Sequence, residues 1–243
     1  TYDALVISSG TRNGFWRTSH FENHEDVQRN LTEKSKAILS ADRVAIIGGG
    51  PTAVSVASNI KEMRSDAEVN LFFSQKTPLP SYHPRTRRKI EKLLKRQGVV
   101  LHPMHRANVP TDLDFEDFSS DPVNWTSGQE PFDADLTLWA IGKLTPNNEF
   151  IPADMLTSEG FVKSDIFLRV AGYDNVFTVG DIAKTDDNRS SARNAGHLIL
   201  AHNVKAYLEG RSERMKPFKP PRYRWGSILG VQKKGLSIFT PNG

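Results

Sequence analysis

The sequence predicts an α/β protein whose parallel sheet is built from strand–helix–strand units, and three observations carry that prediction. Arg43 to Ala57, RVAIIGGGPTAVSVA, is a short β-branched run, broken by three glycines and followed by helical periodicity. AEVNLFF, Ala67 to Phe73, is a second apolar run placed where a crossover helix would deliver the chain. Further apolar runs that stop at a glycine recur at Ala4 to Ser9, Leu136 to Ile141 and Asn175 to Asp181.

The glycine turn organises the rest. Its pattern is G-x-G-x-x-A through Gly48, Gly50 and Ala53, with Gly49, Pro51 and Thr52 between them and Ala57 four residues further on. Each small residue has a mechanical role in a dinucleotide-binding unit. Gly48 permits the tight turn, Gly50 lets the backbone approach a pyrophosphate, and Ala53 lets the helix pack closely on the sheet. Pro51 suits the first helical turn, where its missing N–H costs nothing. The free N–H groups and the positive end of the helix dipole would then face the phosphates. The alternative, an ordinary strand-to-helix turn, is disfavoured by the strand before the glycines and the helix after them.

The remaining elements follow in order. ALVISS reads as a buried strand ending at Gly10, and residues 11–23 as a loop carrying Phe15, Trp16 and His20. Asn23 or His24 starts a helix to Ala41 with Val27, Leu31, Ile38 and Leu39 as its apolar positions. The helix after the glycine turn runs to about Met63. The residue ending the next strand selects the cofactor in dinucleotide folds, an acid binding ribose hydroxyls and a base a phosphate. Here the segment is Phe73-Ser74-Gln75-Lys76, without an acid; Ser74 and Gln75 suit either ribose and Lys76 favours a phosphate, so both nicotinamide cofactors stay open.

Pro84 to Gln97 is a basic helix with Ile90, Leu93 and Leu94 as its buried stripe and Gly98 as C-cap. Its charges read as a solvated face rather than a nucleic-acid surface, because no aromatic platform or groove-reading motif accompanies them. Val99 to His102 is a strand, 108–127 a meander with a hairpin turn near Ser127-Gly128, and LTLWAI a buried strand ending at Gly142. A short strand follows Gly160, and NVFTVGD is a strand that stops at Gly180-Asp181. Ser191 to Leu208 reads as a helix with Ala195, Leu198, Leu200, Ala201, Val204 and Leu208 as apolar positions. KPFKPP, from Lys216, is a linker into a short strand-rich tail.

Composition narrows the class. Of 243 residues, 37% are hydrophobic and 25% charged, which permits a globular core. A net charge of +4 is too small to argue for nucleic acid. Absence of Cys excludes disulfides, thiolate metal sites and a redox-active cysteine pair, and fits a cytoplasmic address. No apolar run reaches membrane-span length and no signal peptide is visible. The abrupt start at Thr1-Tyr2-Asp3-Ala4 without an initiator Met reads as a piece of a longer protein.

Taken jointly, Tyr2 to Thr11 (YDALVISSGT), the glycine turn, Leu138 to Gly142 (LWAIG) and Asn175 to Asp181 resemble the two-dinucleotide-domain flavoproteins, which include the pyridine nucleotide-disulfide oxidoreductases. FFSQ, followed by LPSYHPRTRRKIEKLLKRQGVV, resembles most the apoptosis-inducing-factor-homologous, ferroptosis-suppressor-like members, relatives of type II NADH:quinone dehydrogenases. The missing cysteines set the disulfide-reductase branch aside.

The resemblance implies a Rossmann-like NAD(P)H-binding domain inserted in a partial FAD-binding domain. Its expected divisions are 1–40 as an FAD-domain remnant, 41–142 as the NAD(P)H domain, 143–212 as the returning FAD part, and 213–243 as the start of a C-terminal or interface segment. It also implies that NAD(P)H reduces FAD, which passes electrons to a quinone-like or protein acceptor, with no catalytic acid, base or metal. Gly142 would line the NAD(P)H cleft. Gly180 and Asp181 would meet the FAD ribityl chain, though Asp181 could instead cap a helix. The helix opening near Ser191 to Asn194 would point its positive end at the flavin ring.

Two departures qualify the resemblance: Ser55 stands where relatives commonly carry a Glu near nicotinamide and flavin, and the family's N-terminal glycine motif for FAD is missing, which implies weak FAD binding. Other readings are a ferredoxin or rubredoxin reductase, or a flavin monooxygenase, of the same fold. A different class, a non-catalytic NAD(P)-sensing or nucleic-acid-associated homologue, predicts salt-sensitive DNA binding lost on charge reversal at Arg87 and Arg88. Tail residues Trp225, Ile228, Leu229, Leu236 and Phe239 fit core packing, a lipophilic cleft or a peripheral membrane contact.

Overall fold

The computed structural model describes residues 2–12, 22–113, 117–141, 144–192, 194–233 and 235–243. In chain order the elements are β1 (Leu5–Ile7), β2 (Thr11–Arg12), α1 (His24–Ser40), β3 (Arg43–Ile47), α2 (Pro51–Met63), β4 (Glu68–Phe73), α3 (Pro84–Gln97) and β5 (Val99–Pro103). They continue with β6 (Leu136–Trp139), β7 (Thr145–Pro146), β8 (Val162–Lys163), β9 (Val176–Thr178), β10 (Ala183–Lys184), α4 (Gly196–Leu208), β11 (Gly226–Gln232) and β12 (Gly235–Phe239). The chain folds as two compact units, one of residues 1–13 and 144–224, the other of residues 14–143 and 225–243.

The larger unit holds a four-stranded parallel sheet in the order β5-β4-β3-β6. Val44 pairs with Val69 and Leu136, and Leu71 with Leu101, so the strands stay in register through their apolar runs. Both faces are covered, as an all-parallel sheet requires. On one face Val44, Ile46, Val69 and Leu71 pack against Ala53, Val54, Ala57 and Ile60 of α2 and Ile90 and Leu94 of α3, every one of them at most 3% exposed. The helix ends are set locally. Asn23 caps α1 by accepting from the Asp26 amide at 2.8 Å, Pro51 and Pro84 open α2 and α3, and Gly98 closes α3 at φ 84°.

On the other face Phe72, Trp125, Trp139 and Val123 form a second cluster under the segment from Ala107 to Phe132. Among its described residues that segment contains isolated bridges instead of regular strands: Ala107 with Trp125, and Val123 with Phe132 around the turn at Gly128, whose φ is 89°. A polar chain crosses this face. Arg43 Nε donates to Glu68 Oε1 at 3.2 Å, Asn70 Nδ2 donates to the same oxygen at 3.0 Å, and His102 Nε2 meets Asn70 Oδ1 at 2.8 Å. Because Asn70 spends its amide N–H on Glu68, its oxygen must accept from His102, which fixes the proton on Nε2. The His102 ring stacks on Phe72 with centroids 4.2 Å apart.

The C-terminal hairpin β11–β12 belongs to this unit and lies on α2. Ile228, Leu229 and Phe239 are buried in the helix-side core, while Leu236 and Ile238 are 55% and 62% exposed. Of the five tail residues, then, three pack in the core, Trp225 is half-buried and Leu236 is exposed. Gln232 Nε2 donates to Asn59 Oδ1 at 2.6 Å, and Ser58 Oγ donates to Gln97 Oε1 and Gln232 Oε1 at 2.9 and 3.1 Å.

In the smaller unit β1 pairs in parallel with β9, β8 with β10, and β2 antiparallel with β7. Ile7, Val162, Val176 and Ile182 make one core cluster, and Leu168, Phe177, Leu200 and Phe218 another.

Several expectations need correction. Thr11 and Arg12 form a strand instead of opening a loop; Phe15, Trp16 and His20 lie outside the described residues. Of the apolar positions in α1, Ile38 is buried, but Val27, Leu31 and Leu39 are 38%, 55% and 41% exposed. β6 stops at Trp139 and β9 at Thr178, earlier than their apolar runs. The helix expected from Ser191 begins at Gly196. A 3-10 turn occupies Ser190–Ala192, and Ala195, in the left-handed region at φ 58°, breaks the path between them. A Cβ on Gly196 would lie 2.0 Å from the Ser191 carbonyl oxygen, a close approach that only glycine allows. Leu198 and Leu208 are exposed. KPFKPP is not a free linker: Phe218 is 6% exposed and its N–H donates to the Ile166 carbonyl at 2.7 Å.

Candidate functional site

The glycine turn sits where β3 ends between its two neighbours. Gly48 has φ 142°, its N–H donates to the Phe72 carbonyl at 2.8 Å, and a Cβ there would lie 2.5 Å from the Ala140 carbonyl oxygen. Gly48 is therefore required by backbone conformation and by the close approach of the chain leaving β6. A Cβ on Gly49 would meet Phe73 Cβ at 3.0 Å. Gly50 is different: φ is −84° and a Cβ would meet nothing within 4 Å, so the space in front of it is open.

Behind the turn, Ala53 and Ala57 are fully buried, and the Cβ of Ala53 lies 3.4 Å from the Cβ position of Gly48. α2 therefore packs directly on the sheet. Its N-terminus has no side-chain cap, whereas α1 is capped by Asn23 and α3 by His83. Pro51 has no N–H to offer, and the N–H groups of Thr52 and Ala53, in the first turn, lack intrahelical acceptors. Thr52 is exposed. Uncapped donors, a dipole end and open space in front of Gly50 together suit a phosphate-bearing ligand.

Ser74, Gln75 and Lys76 leave the end of β4 beside this turn, all three exposed. Their loop is held at both ends. The N–H of Leu79 donates to the Gly49 carbonyl at 2.7 Å, and that of Met104 donates to the Gln75 carbonyl at 3.2 Å. Leu79 is buried with φ 60°, a pin that no local sequence signal announces. From α3, the Arg87 guanidinium donates to Thr77 Oγ1. Ser55, one turn into α2, is half-buried and accepts from Asn59 Nδ2 at 3.2 Å.

Gly142 lies outside the described residues. Gly180 and Asp181 lie in the smaller unit. Gly180 has φ 91° and its N–H donates to Ser191 Oγ at 3.0 Å. Asp181 is exposed and, among the described residues, has no hydrogen-bond or ion-pair partner. It does not cap α4, which begins at Gly196. The chain brings Gly48 to Ala53 and Ser74 to Lys76 together in the larger unit and carries Gly180 and Asp181 in the other.

Among the described residues no group of three or more His, Asp or Glu side chains is placed to hold a metal, and no helix is long and apolar enough to cross a membrane.

Known proteins share this fold. LpdA from Mycobacterium tuberculosis superposes with a TM-score of 0.63 at 16% identity, over 93% of this chain and 46% of its own. A ferredoxin reductase for the CYP199A2 system from Rhodopseudomonas palustris superposes with a TM-score of 0.60 at 18% identity, over 92% and 55%. At that identity the likeness concerns the fold, which is the α/β FAD/NAD(P)-binding fold. In sequence, Fe-regulated protein 8 of Mycosarcoma maydis is 27% identical over 252 residues, 96% of this chain and 60% of that protein. Ferroptosis suppressor protein 1 of Taeniopygia guttata is 25% identical over 239 residues, 96% of this chain and 62% of that protein. The chain thus spans about three fifths of the length of these relatives. Residues 1–203 match the family model described as pyridine nucleotide-disulphide oxidoreductase, and the chain belongs to that family.

Proposed function

We propose that this chain carries the NAD(P)H-binding domain and part of the FAD-binding domain of an FAD-dependent NAD(P)H oxidoreductase that delivers electrons to a quinone-like acceptor. The observation that carries the reading is the uncapped N-terminus of α2, open in front of Gly50 and backed by Gly48 and Ala53. The residues fit the cofactor. Donors at Thr52 and Ala53 suit a pyrophosphate, and Ser74 to Lys76 stand where the adenosine ribose would lie.

Asp181 fits the role of an acceptor for a ribityl hydroxyl, because its carboxylate is exposed and uncommitted among the described residues. When bound, nicotinamide and flavin supply the hydride and electron chemistry. The chain's part is to anchor the pyrophosphate at Gly48 to Ala53, to hold the ribose at the end of β4, and to offer a carboxylate at Asp181. No side chain is needed as acid or base. Ser55, already an acceptor for Asn59, adds no charge beside the cleft. With Cys absent from the sequence, no dithiol relay takes part.

The domain divisions proposed from sequence, 1–40, 41–142, 143–212 and 213–243, serve this reading, with the qualification that β11–β12 packs on α2. A cytoplasmic address with peripheral membrane contact is proposed with it.

The test is an anaerobic visible spectrum of the full-length protein that carries this chain, before and after NADH or NADPH. Bleaching of the flavin band by a nicotinamide nucleotide is the expected result. A flavin band that forms and stays oxidised would overturn the oxidoreductase reading and leave nucleotide binding without turnover.

A further inference from the structure

We infer that Arg87, together with Lys76, forms a phosphomonoester subsite beside the glycine turn, so that the dinucleotide taken there is one carrying a 2′-phosphate on its adenosine ribose. The inference rests on the dinucleotide reading above and goes beyond it by choosing between the two nicotinamide cofactors.

Arg87 differs from the other basic residues of its helix. Arg85, Arg88, Lys89, Lys92, Lys95 and Arg96 are exposed, and water compensates their charge. Arg87 is half-buried in the first turn of α3 and reaches back over the loop that leaves β4, where its Nη2 donates to Thr77 Oγ1. Its Nε is fully buried and meets no acceptor among the described residues. Among the described residues no carboxylate pairs with it either, although Arg43, Arg64 and Arg169 each pair with at least one. The buried Nε is out of reach of an incoming ligand, so an anion would meet the outer N–H groups of the fork; a partly desolvated guanidinium with no counter-charge is costly unless an anion lies against it.

Neither the loop nor the helix itself offers such an anion. Ser74 to Leu79 contains no acidic residue, and the one acid of α3, Glu91, is engaged by Lys95 at 2.7 Å. The position where an acid would bind a ribose diol is followed instead by exposed Lys76. The loop itself is pinned between Gly49 and Met104, and Thr77, which accepts from the Arg87 fork, lies within that pinned stretch. A neutral ribose diol would leave the Arg87 charge uncompensated. A phosphomonoester, carrying close to two negative charges and several acceptor oxygens, matches a planar fork with spare donors.

The experiment is calorimetric titration of the full chain with 2′,5′-ADP and with 5′-ADP, on the native protein and on Arg87→Met, with folding of each variant followed by circular dichroism. The native chain should bind 2′,5′-ADP at least about tenfold more tightly, and Arg87→Met should erase that preference while 5′-ADP affinity stays the same. Lys76→Gln, at an exposed position that folding does not depend on, should reduce the preference in the same direction and serves if Arg87→Met unfolds. Equal affinity for the two nucleotides in the native protein, or a preference that survives these substitutions, would overturn the subsite and leave the dinucleotide reading standing. Binding of neither nucleotide would instead overturn the dinucleotide reading itself.

Discussion

The Cβ position of Gly48 lies 2.5 Å from the carbonyl oxygen of Ala140, so the turn after β3 and the chain leaving β6 touch at a distance no side chain permits. Gly48→Ala also forces a φ of 142° on a residue with a Cβ. The substitution should destabilise the larger unit by about 2 kcal/mol or more, read as a lowered midpoint in urea. A midpoint within error of the native value would mean that the turn is not fixed by this contact.

The hairpin β11–β12 is held by apolar burial as well as by Gln232 and Asn59. Leu229 is 2% exposed, so Leu229→Ala should cost about 2–4 kcal/mol. Leu236, at 55% exposure, is the internal control: Leu236→Ser should change stability by less than about 0.5 kcal/mol. Equal effects from the two would place the hairpin off α2.

His102 gives stability a pH dependence. Burial, then the neighbouring His105, lowers its pKa below the ordinary value of 6.5, while Glu68 opposes and Arg43 assists. The unfolded chain therefore takes up a proton more readily than the folded one. Stability should be level above about pH 7 and fall as pH drops through 6.5 towards the folded value. Glu68, whose pKa is lowered by its hydrogen bond from Asn70 and then by Arg43, contributes in the same direction at lower pH, around and below 4.5. Urea midpoints near about pH 7.5 and about pH 5 check this. His102→Gln should flatten the dependence between them, and an equally steep slope in that variant would assign it elsewhere.

Much of this architecture can be read locally. Asn23, Pro51, Pro84 and Gly98 mark helix ends through their own backbone preferences: α1, α2 and α3 begin, and α3 ends, where those residues direct. The glycine turn is legible because Gly48 and Ala53 satisfy constraints within one strand–turn–helix unit.

What the sequence conceals is non-local. The apolar period around Ala195 continues smoothly, yet the chain turns there because Gly196 packs on the Ser191 backbone. Phe218 looks like a linker residue between prolines until its burial partners, among them Leu168 and Phe177, are brought beside it. Arg87 and Arg88 are indistinguishable in a basic run, and only the fold buries the Nε of one and leaves the other in water.

The most direct measurement is nucleotide affinity of Gly50→Val against the native chain, by calorimetry with NADPH and NADH. A Cβ at position 50 meets nothing in the protein within 4 Å and needs no unusual φ, so the variant should keep its thermal midpoint. It should nevertheless lose nucleotide binding, because the added side chain occupies the space in front of the Thr52 and Ala53 donors. Native-like affinity in a folded Gly50→Val protein would contradict the assignment of the glycine turn as the dinucleotide site.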